Sequence, residues 1–204
     1  VTTDEAIIST CMDFAQSLGK EPVLVNDRAG FIANSLLFGY LNQAITMYEQ
    51  KYASREDIDS AMKFGCGLPM GPLALLDLIG LDTSLQILDT MYRESRDRLH
   101  APSALLKQLV SAGRLGRKSG HGFYTYEGNN VPVVVSDSQT PAQEGAMVAS
   151  GITSVGVVGS GTMATGIASV FASAGVNVLV LTRSEQRSQE VVNSLDASWT
   201  KLVA

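Results

Sequence analysis

The chain has 204 residues, of which 45% are hydrophobic and 17% charged, so it can bury a core and is not intrinsically disordered. Its net charge of −5 argues against nucleic acid as the main partner, and its apolar runs are too short to span a membrane. Cys11 and Cys66 lack metal or redox spacing, so we expect reduced, buried thiols in a cytoplasmic protein.

The first 28 residues have the pattern of an incomplete α/β domain. Thr3 is expected to cap a helix over residues 4–18, and residues 22–26 are a predicted β-strand. One helix and one strand cannot bury a core, so we interpret residues 1–28 as the tail of a preceding nucleotide-binding domain. The chain also begins with valine rather than methionine, which we interpret as a sign that residues precede it.

A broad apolar stripe with helical spacing runs through residues 27–50 and predicts a central helix with neighbours on several sides. Asn34 lies within this stripe, so we expect its side chain to point towards the core. A buried amide without partners costs roughly 1–3 kcal/mol. Asn34 therefore either bonds to a neighbouring loop or faces a ligand or catalytic group in a cleft, and the residues leave both interpretations open.

The chain continues with short helices up to a glycine-rich basic loop at residues 113–122. The predicted helices and the residues at their ends are Ser54 to Gly65, Pro72 to Ile79, Asp82 to Leu99, and Ser103 to Gly113. A short extended segment follows at 123–126. Residues 127–151 have linker composition with one short strand at 133–135. Most of this region is helical, which predicts a mainly α fold.

From residue 152 the pattern changes to strand, glycine loop, helix, strand and helix, the order of a Rossmann β-α-β unit. In the loop, Gly159 permits the tight turn and Gly161 lets a pyrophosphate approach the backbone. Ala164 is small enough for close packing of helix and strand. The sequence therefore predicts a dinucleotide site, although a purely structural turn would have the same pattern. No third strand is visible, so we expect a truncated unit.

The end of the second strand of this unit suggests which cofactor binds. An acidic residue there normally holds the adenosine ribose of NAD, but this chain has Thr182 followed by Arg183. Because arginine suits a 2′-phosphate, NADP becomes possible. The alternative is a site that has diverged and binds neither cofactor.

Several segments together resemble the helical C-terminal domain of 3-hydroxyacyl-CoA dehydrogenases, a 6-phosphogluconate-dehydrogenase C-terminal-like fold. The segments are D-x-x-G-F-I-x-N at 27–34, S-x-E-D-I-D at 54–59, G-x-P-M-G-P at 67–72, L-D-x-x-G-L-D at 76–82, and G-R-L-G-R-K-S-G-x-G-F-Y at 113–124. The resemblance assigns residues 29–126 to that domain, 127–151 to a linker, and 152–204 to the beginning of a second NAD-binding domain.

This resemblance implies an oxidoreductase that transfers a hydride between C3 of a 3-hydroxyacyl-CoA and NAD(P), in fatty-acid β-oxidation or butanoate metabolism. It also implies an acyl-CoA substrate and a homodimer formed through the helical domain. In the family the nucleotide-binding domain precedes the helical one, so we interpret the chain as a fragment of a tandem protein. The family's catalytic His–Glu pair has no counterpart here. The fragment alone is therefore expected to be inactive, with His100 and His121 exposed.

Two residues of the helical region acquire roles from the resemblance. Asn34 matches the asparagine that contacts the substrate acyl group, and Lys118 matches a basic residue near the cofactor, although a solvated cation on a turn explains Lys118 equally well. Two other functions stay open. One is a β-hydroxyacid dehydrogenase of similar architecture, and the other is a non-catalytic module for dimerisation and for lining the substrate site.

Overall fold

The computed structural model describes residues 3–141 and 151–203, without the side chains of 198 and 201–203. The chain divides into a helical unit within residues 1–141 and a second unit within 142–204. The helices of the helical unit are α1 Glu5–Ser17, α2 Ala33–Glu49, α3 Arg55–Ser60, α4 Pro72–Ile79, α5 Leu81–Ser95 and α6 Ala104–Ser111. A π-helical turn, Ala61–Gly65, follows α3, and two 3-10 turns lie at Arg98–His100 and Arg117–Ser119. Two short antiparallel strands follow, β1 Thr125–Tyr126 and β2 Val134–Val135. The second unit contains β3 Ser154–Val158, α7 Thr162–Ser173, β4 Asn177–Leu181 and α8 Glu185–Val203.

The core of the helical unit is built around α2, as predicted. Phe38, Leu41 and Ile45 are almost completely buried on this helix. Helix α2 contacts α3, α4, α5 and α6, which explains why its apolar stripe is too broad for a helix on a surface. Together with the β-α-β order of the second unit, this arrangement confirms the predicted mainly α fold class.

The predicted start of the central helix was wrong, and so was the predicted burial of Asn34. Helix α2 begins at Ala33 because Gly30 and Phe31 have positive φ angles of 84° and 46°, which a right-handed helix cannot contain. Phe31 is exposed, and so is Asn34 in the first turn. The asparagine that α2 buries is Asn42, eight positions later.

Three predictions for exposed parts of the helical unit were also wrong. Asp4 caps α1 in place of Thr3, and α1 buries none of its residues. Residues 22–26 form no strand, because a strand needs a partner for its backbone groups and the described part of the chain pairs none with it. Cys11 and Cys66 are free thiols, as predicted, but both are exposed rather than buried.

Three of the predicted helix starts are confirmed, and a further one is wrong. The side chains of Ser54 and Ser103 cap α3 and α6, and Pro72 is the first residue of α4. Asp82 does not cap α5, because this helix begins at Leu81 directly after Gly80. The same helix ends at Ser95 rather than Leu99, since Arg96 adopts a left-handed conformation with φ of 56°.

The second unit is a two-stranded parallel sheet with helices packed on one face. The register runs from Ser154 opposite Asn177 to Val158 opposite Leu181. Val157 is buried on the covered face, whereas Val158 and Leu179 are 81% and 76% exposed on the other. Parallel sheets are normally covered on both faces, so this outer face is unusually apolar for a surface.

Candidate functional site

The glycine loop between β3 and α7 has the geometry expected of a phosphate-binding turn. Gly159 has a φ of 134°, which favours glycine, and its amide donates to the carbonyl of Leu181 at 2.8 Å. A Cβ at Gly159 would lie 3.3 Å from the Ala164 Cβ, so the strand end and the first turn of the helix pack closely. These contacts account for two of the three predicted loop residues.

Gly161 is different, because no contact with the residues that the structure describes requires a glycine there. It precedes α7 with a φ of −84°, and a Cβ at this position would meet nothing within 4 Å. The space beside it opens onto the amino end of α7, where the first amides of a helix lack intrahelical partners. The backbone at Gly161 is therefore open to a group that enters this space from the amino end of α7.

This space is part of a cleft of about 870 Å³ at the carboxyl ends of both strands. Ligands of parallel α/β sheets bind at these ends. The lining residues are Val158, Gly159, Ser160, Gly161, Leu181, Thr182, Arg183, Ser184 and Arg187. Of the predicted cofactor residues, Gly159, Gly161 and Arg183 therefore line one cleft, with Ala164 packed beneath Gly159.

The other two predicted residues lie in the helical unit, on different elements. Asn34 is exposed in the first turn of α2. Lys118 lies in the 3-10 turn after Gly116, where its Nζ is 2.7 Å from Asp82 Oδ2, and this hydrogen bond lowers the pKa of Asp82 below its usual value. Both side chains of the pair are part-exposed, so Lys118 could exchange this partner for a ligand.

Two buried carboxylates in the helical unit were missed from the sequence. Asp77 accepts hydrogen bonds from the Phe123 and Tyr124 amides, both at 2.9 Å, and from the Tyr126 hydroxyl at 3.0 Å. Burial raises the pKa of Asp77 to about 6, although these three donors favour its charged form. Asp77 thereby fastens the extended segment 123–126 to α4.

Asp59 plays the equivalent role at the other end of α4. Its oxygens accept from the Leu73 and Ala74 amides at 2.8 and 2.9 Å, and from the Tyr124 hydroxyl at 2.9 Å. Burial raises its pKa as well. A side chain at Gly71 would collide with Asp59, which explains a glycine of the quoted segments by packing rather than by ligand binding.

Arg55 is a third missed residue, hidden in the sequence by its place next to the helix cap Ser54. It is 1% exposed, and it donates to the Phe123 carbonyl at 2.6 Å and to both carboxylate oxygens of Asp137 at 2.6 and 2.9 Å. The hydrogen bond from Arg55 holds the pKa of Asp137 well below its usual range. The first part of the predicted linker is therefore hydrogen-bonded to the helical unit.

The prediction that His100 is exposed was wrong, whereas His121 is exposed as predicted. His100 Nε2 lies 2.9 Å from the Ser35 carbonyl. Asn42 Nδ2 donates to the Leu99 and Ala101 carbonyls at 3.0 and 2.8 Å. These bonds fasten the turn around His100 to α2. The spacing of Asn42 with Phe38, Leu41 and Ile45 was the signal that could have identified it.

The structure offers neither a metal centre nor a membrane helix in the part of the chain that it describes. No three His, Cys, Asp or Glu side chains there have the arrangement of metal ligands. Helices at residues 3–141 and 151–203 are all too short or too polar to cross a bilayer. The glycine-loop cleft is therefore the strongest candidate for a ligand site.

Comparison with known proteins gives a separate family match for each unit. Residues 30–126 match the family model of the 3-hydroxyacyl-CoA dehydrogenase C-terminal domain, and residues 154–204 match that of the 3-hydroxyacyl-CoA dehydrogenase NAD binding domain. Human mitochondrial hydroxyacyl-coenzyme A dehydrogenase is 47% identical over 126 residues, which are 61% of this chain and 40% of that protein. A Mycobacterium tuberculosis 3-hydroxybutyryl-CoA dehydrogenase is 48% identical over 127 residues, or 62% of this chain and 44% of that protein.

One solved structure matches across most of the chain. The 3-hydroxybutyryl-CoA dehydrogenase of Escherichia coli K12 aligns with a TM-score of 0.61 at 26% identity, covering 89% of this chain and 48% of that one. M. tuberculosis FadB2 aligns with a TM-score of 0.60 at 47% identity, covering 62% of this chain and 45% of that one. The chain thus spans less than half the length of each protein compared here.

Proposed function

We propose that this chain, which belongs to the 3-hydroxyacyl-CoA dehydrogenase family, is part of an enzyme that transfers a hydride between C3 of a 3-hydroxyacyl-CoA and NAD(P). The observation that carries this proposal is the open space at Gly161, at the carboxyl end of β3 and the amino end of α7. A pyrophosphate needs this combination of free backbone amides and absent side chain.

A pair of glycine variants tests the nucleotide site in the full chain. Gly161→Val should abolish binding of NADH and NADPH, because the new side chain enters the ligand's space, where a Cβ meets no described atom within 4 Å. Gly166→Ala, in the interior of α7 and equally free of contacts, is the matched control and should retain binding. Equal binding by both variants, measured by titration calorimetry, would contradict the proposal.

We assign the substrate-contacting role to Asn34. Its amide is exposed in the first turn of α2, close in sequence to the exposed Phe31 and Leu36, so a polar group is available to a substrate there. In the full-length enzyme, Asn34→Ala should reduce kcat for acetoacetyl-CoA by about 10-fold or more while leaving thermal stability unchanged. Gln43→Ala, also exposed on α2, is the control. Unchanged turnover would remove Asn34 from the site.

We also propose the domain boundaries of such a fragment. Residues 1–28 would complete a preceding nucleotide-binding domain, and 29–126, 127–151 and 152–204 would be the helical domain, the linker and part of a second nucleotide-binding domain. Helix α1 supports this division because it leaves Phe14 and Leu18 at least 60% exposed. The 204-residue chain alone should then show no turnover of acetoacetyl-CoA with NADH. Activity above a blank would contradict this.

A second candidate function is that of a dimerisation module that also lines the substrate site. The helical unit exposes large apolar side chains on several elements: Phe31, Leu36, Tyr52, Phe64 and Leu78. Exposed apolar surface of this kind favours association with another copy. Sedimentation at micromolar concentration should show a homodimer. Two exposed free thiols favour a reducing compartment, and we propose the cytoplasm, although the human relative is named as mitochondrial.

The cofactor at the second unit is proposed to be NADP(H) rather than NAD(H). Arg183 is exposed at the end of β4, and Thr182 replaces the acidic residue that would accept the ribose hydroxyls of NAD. NADPH should therefore bind the chain more tightly than NADH. Lys118 belongs to the helical unit and is proposed separately, as a residue near the cofactor of the complete enzyme.

A further inference from the structure

The charges that line the glycine-loop cleft are all positive among the described residues. Arg183 and Arg187 both line it, four residues apart at the end of β4 and in the first turn of α8, and no carboxylate does. Among the described side chains of residues 151–203, none forms an ion pair or a hydrogen bond with Arg183. The cleft therefore offers two guanidinium groups to an anion.

Thr182 is satisfied within its own chain, so it does not compete for the ligand. Its hydroxyl donates to the Ser184 carbonyl at 2.7 Å, and its oxygen lies 2.8 Å from the Ser188 hydroxyl. A threonine with both its donor and its acceptor in use cannot hold two ribose hydroxyls as a carboxylate would. The recognition of the ribose consequently falls to the arginines beside it.

Arg187 is held by a partner that a ligand can displace. Its guanidinium lies 2.8 Å from Glu190, three residues further along α8, and the two side chains are 62% and 49% exposed. Exposed ion pairs of this kind contribute little to stability because water and salt screen them. A phosphate dianion binds a guanidinium more strongly, through two parallel hydrogen bonds.

We infer that Arg183 and Arg187 form a subsite for the 2′-phosphate of an adenine dinucleotide, and that Glu190 competes with this phosphate for Arg187. The inference rests on the proposed nucleotide site, and it names a second arginine and a competing carboxylate as determinants of its specificity. It also departs from the NAD binding domain that the family model describes for residues 154–204. The matching class of ligand is a 2′-phosphorylated adenosine.

The test compares two half-cofactors, 2′,5′-ADP and 5′-ADP, by titration calorimetry with the full chain. The 2′-phosphate should tighten binding by about 10-fold or more, as expected for charge-assisted hydrogen bonds. Arg183→Gln and Arg187→Gln should each weaken 2′,5′-ADP by roughly 10-fold and change 5′-ADP by less than about twofold. Arg114→Gln, which removes the same charge from the helical unit, should change neither.

Glu190→Gln gives the sharpest result, because it removes the competing negative charge and leaves both arginine side chains in place. It should tighten 2′,5′-ADP by about two- to fivefold and leave 5′-ADP unchanged, since Arg187 no longer has to release a partner. An Arg187→Gln/Glu190→Gln double variant should lose this gain. Melting curves of all variants should coincide, as the pair is exposed.

The outcomes separate this inference from the proposed function. If 5′-ADP binds and 2′,5′-ADP binds no tighter, the phosphate subsite is wrong while the nucleotide site stands. If Arg183→Gln weakens both ligands equally, Arg183 contacts the shared adenosine or 5′-phosphates, and the subsite is again wrong. If neither ligand binds, the nucleotide site itself fails, and the subsite fails with it.

Discussion

The two units of this chain contain equally regular elements but differ in how much they bury. Among the described residues, the helical unit packs fourteen buried hydrophobic side chains into one core, whereas the second unit buries only Val157, Ala168 and Val191. The helical unit also satisfies its buried carboxylates with backbone and tyrosine donors. Regular secondary structure with a correct register is therefore not by itself a measure of stability.

Local sequence patterns and the burial of side chains therefore contribute separately to the folded structure. The β-α-β unit forms because strand, glycine turn and helix signals follow one another in the sequence. Its outer sheet face nevertheless leaves Val158, Leu179 and Leu181 exposed, at 81%, 76% and 63%. Each such side chain forgoes roughly 1.5–3 kcal/mol of burial. The two units should therefore respond differently to substitution, hydrogen exchange and pH.

The largest effect should come from removing a buried carboxylate of the helical unit. Asp77→Ala leaves the Phe123 and Tyr124 amides without partners and opens a cavity, so the free energy of unfolding should fall by about 3–5 kcal/mol. Asp89→Ala, at a part-exposed position on α5, is the control and should change it by less than about 0.5 kcal/mol. Similar losses for both in denaturant titrations would mean that Asp77 is not a fastening point.

Amide hydrogen exchange should separate the units directly. For the monomeric chain, the opening free energy along residues 38–45 of α2 should exceed that along β3 and β4 by about 3 kcal/mol or more, because exchange follows local burial. Mass spectrometry of peptic fragments measures both regions in one sample. Equal protection would show that the second unit is as stable as the helical one.

Two asparagines on α2 sharpen the contrast within one helix. Asn42→Ala removes two hydrogen bonds from a buried side chain to the Leu99 and Ala101 carbonyls and should cost about 2–3 kcal/mol. Asn34→Ala should cost less than about 0.5 kcal/mol, because Asn34 is exposed. Thermal melts of the two variants decide the matter, and a reversed order would restore the interpretation of Asn34 as a core residue.

Adjacent valines of β3 test whether anything covers the outer face of the sheet. Val157→Ala should destabilise the second unit by about 2 kcal/mol, because Val157 is only 8% exposed. Val158→Ala should be nearly neutral. A comparable loss for Val158→Ala, measured on the same chain, would indicate that this face is covered in solution.

The smallest effect concerns pH and has opposite signs at two carboxylates. Because the folded-state pKa of Asp77 is about 6, against 3.8 ordinarily, the folded state binds this proton more tightly. Stability should fall by roughly 1–2 kcal/mol as pH rises from 4 to 6, relative to Asp77→Asn. Asp59 acts in the same direction.

Asp137 provides the internal contrast to this pH effect. Its pKa is lowered by Arg55, so its contribution is present above the ordinary pKa of 3.8 and is lost on further acidification. Urea titrations between pH 3 and 7 on the two Asp→Asn variants measure both slopes. Parallel pH profiles for Asp77→Asn and the unsubstituted chain would contradict the shifted pKa of Asp77.

Sequence reasoning located the elements well where the signal was local. The caps Ser54 and Ser103, the first-turn Pro72 and the two parallel strands are confirmed. The glycine loop also falls between β3 and α7, as predicted. These features depend on hydrogen bonds and backbone angles within a few residues, which a single sequence contains.

The errors about the α2 asparagines arose because burial decided the outcome. Asn34 and Asn42 both lie on α2, and helical periodicity places either of them near an apolar stripe. Only the docking of the turn around Leu99 and His100 buries Asn42. A close approach at Gly39, where a Cβ would lie 2.8 Å from Leu99, makes that docking possible. Such contacts join residues about sixty positions apart, beyond any local pattern.

The family segments, the order of most helices and strands, and the glycine loop between β3 and α7 could be read from the sequence. Only the tertiary structure decided that Arg55, Asp59 and Asp77 are buried, that α1 buries nothing, and that Arg187 joins Arg183 at the cleft. The physical reason is that helix caps and turns are short-range, whereas desolvation and the pairing of charges depend on which distant segments meet.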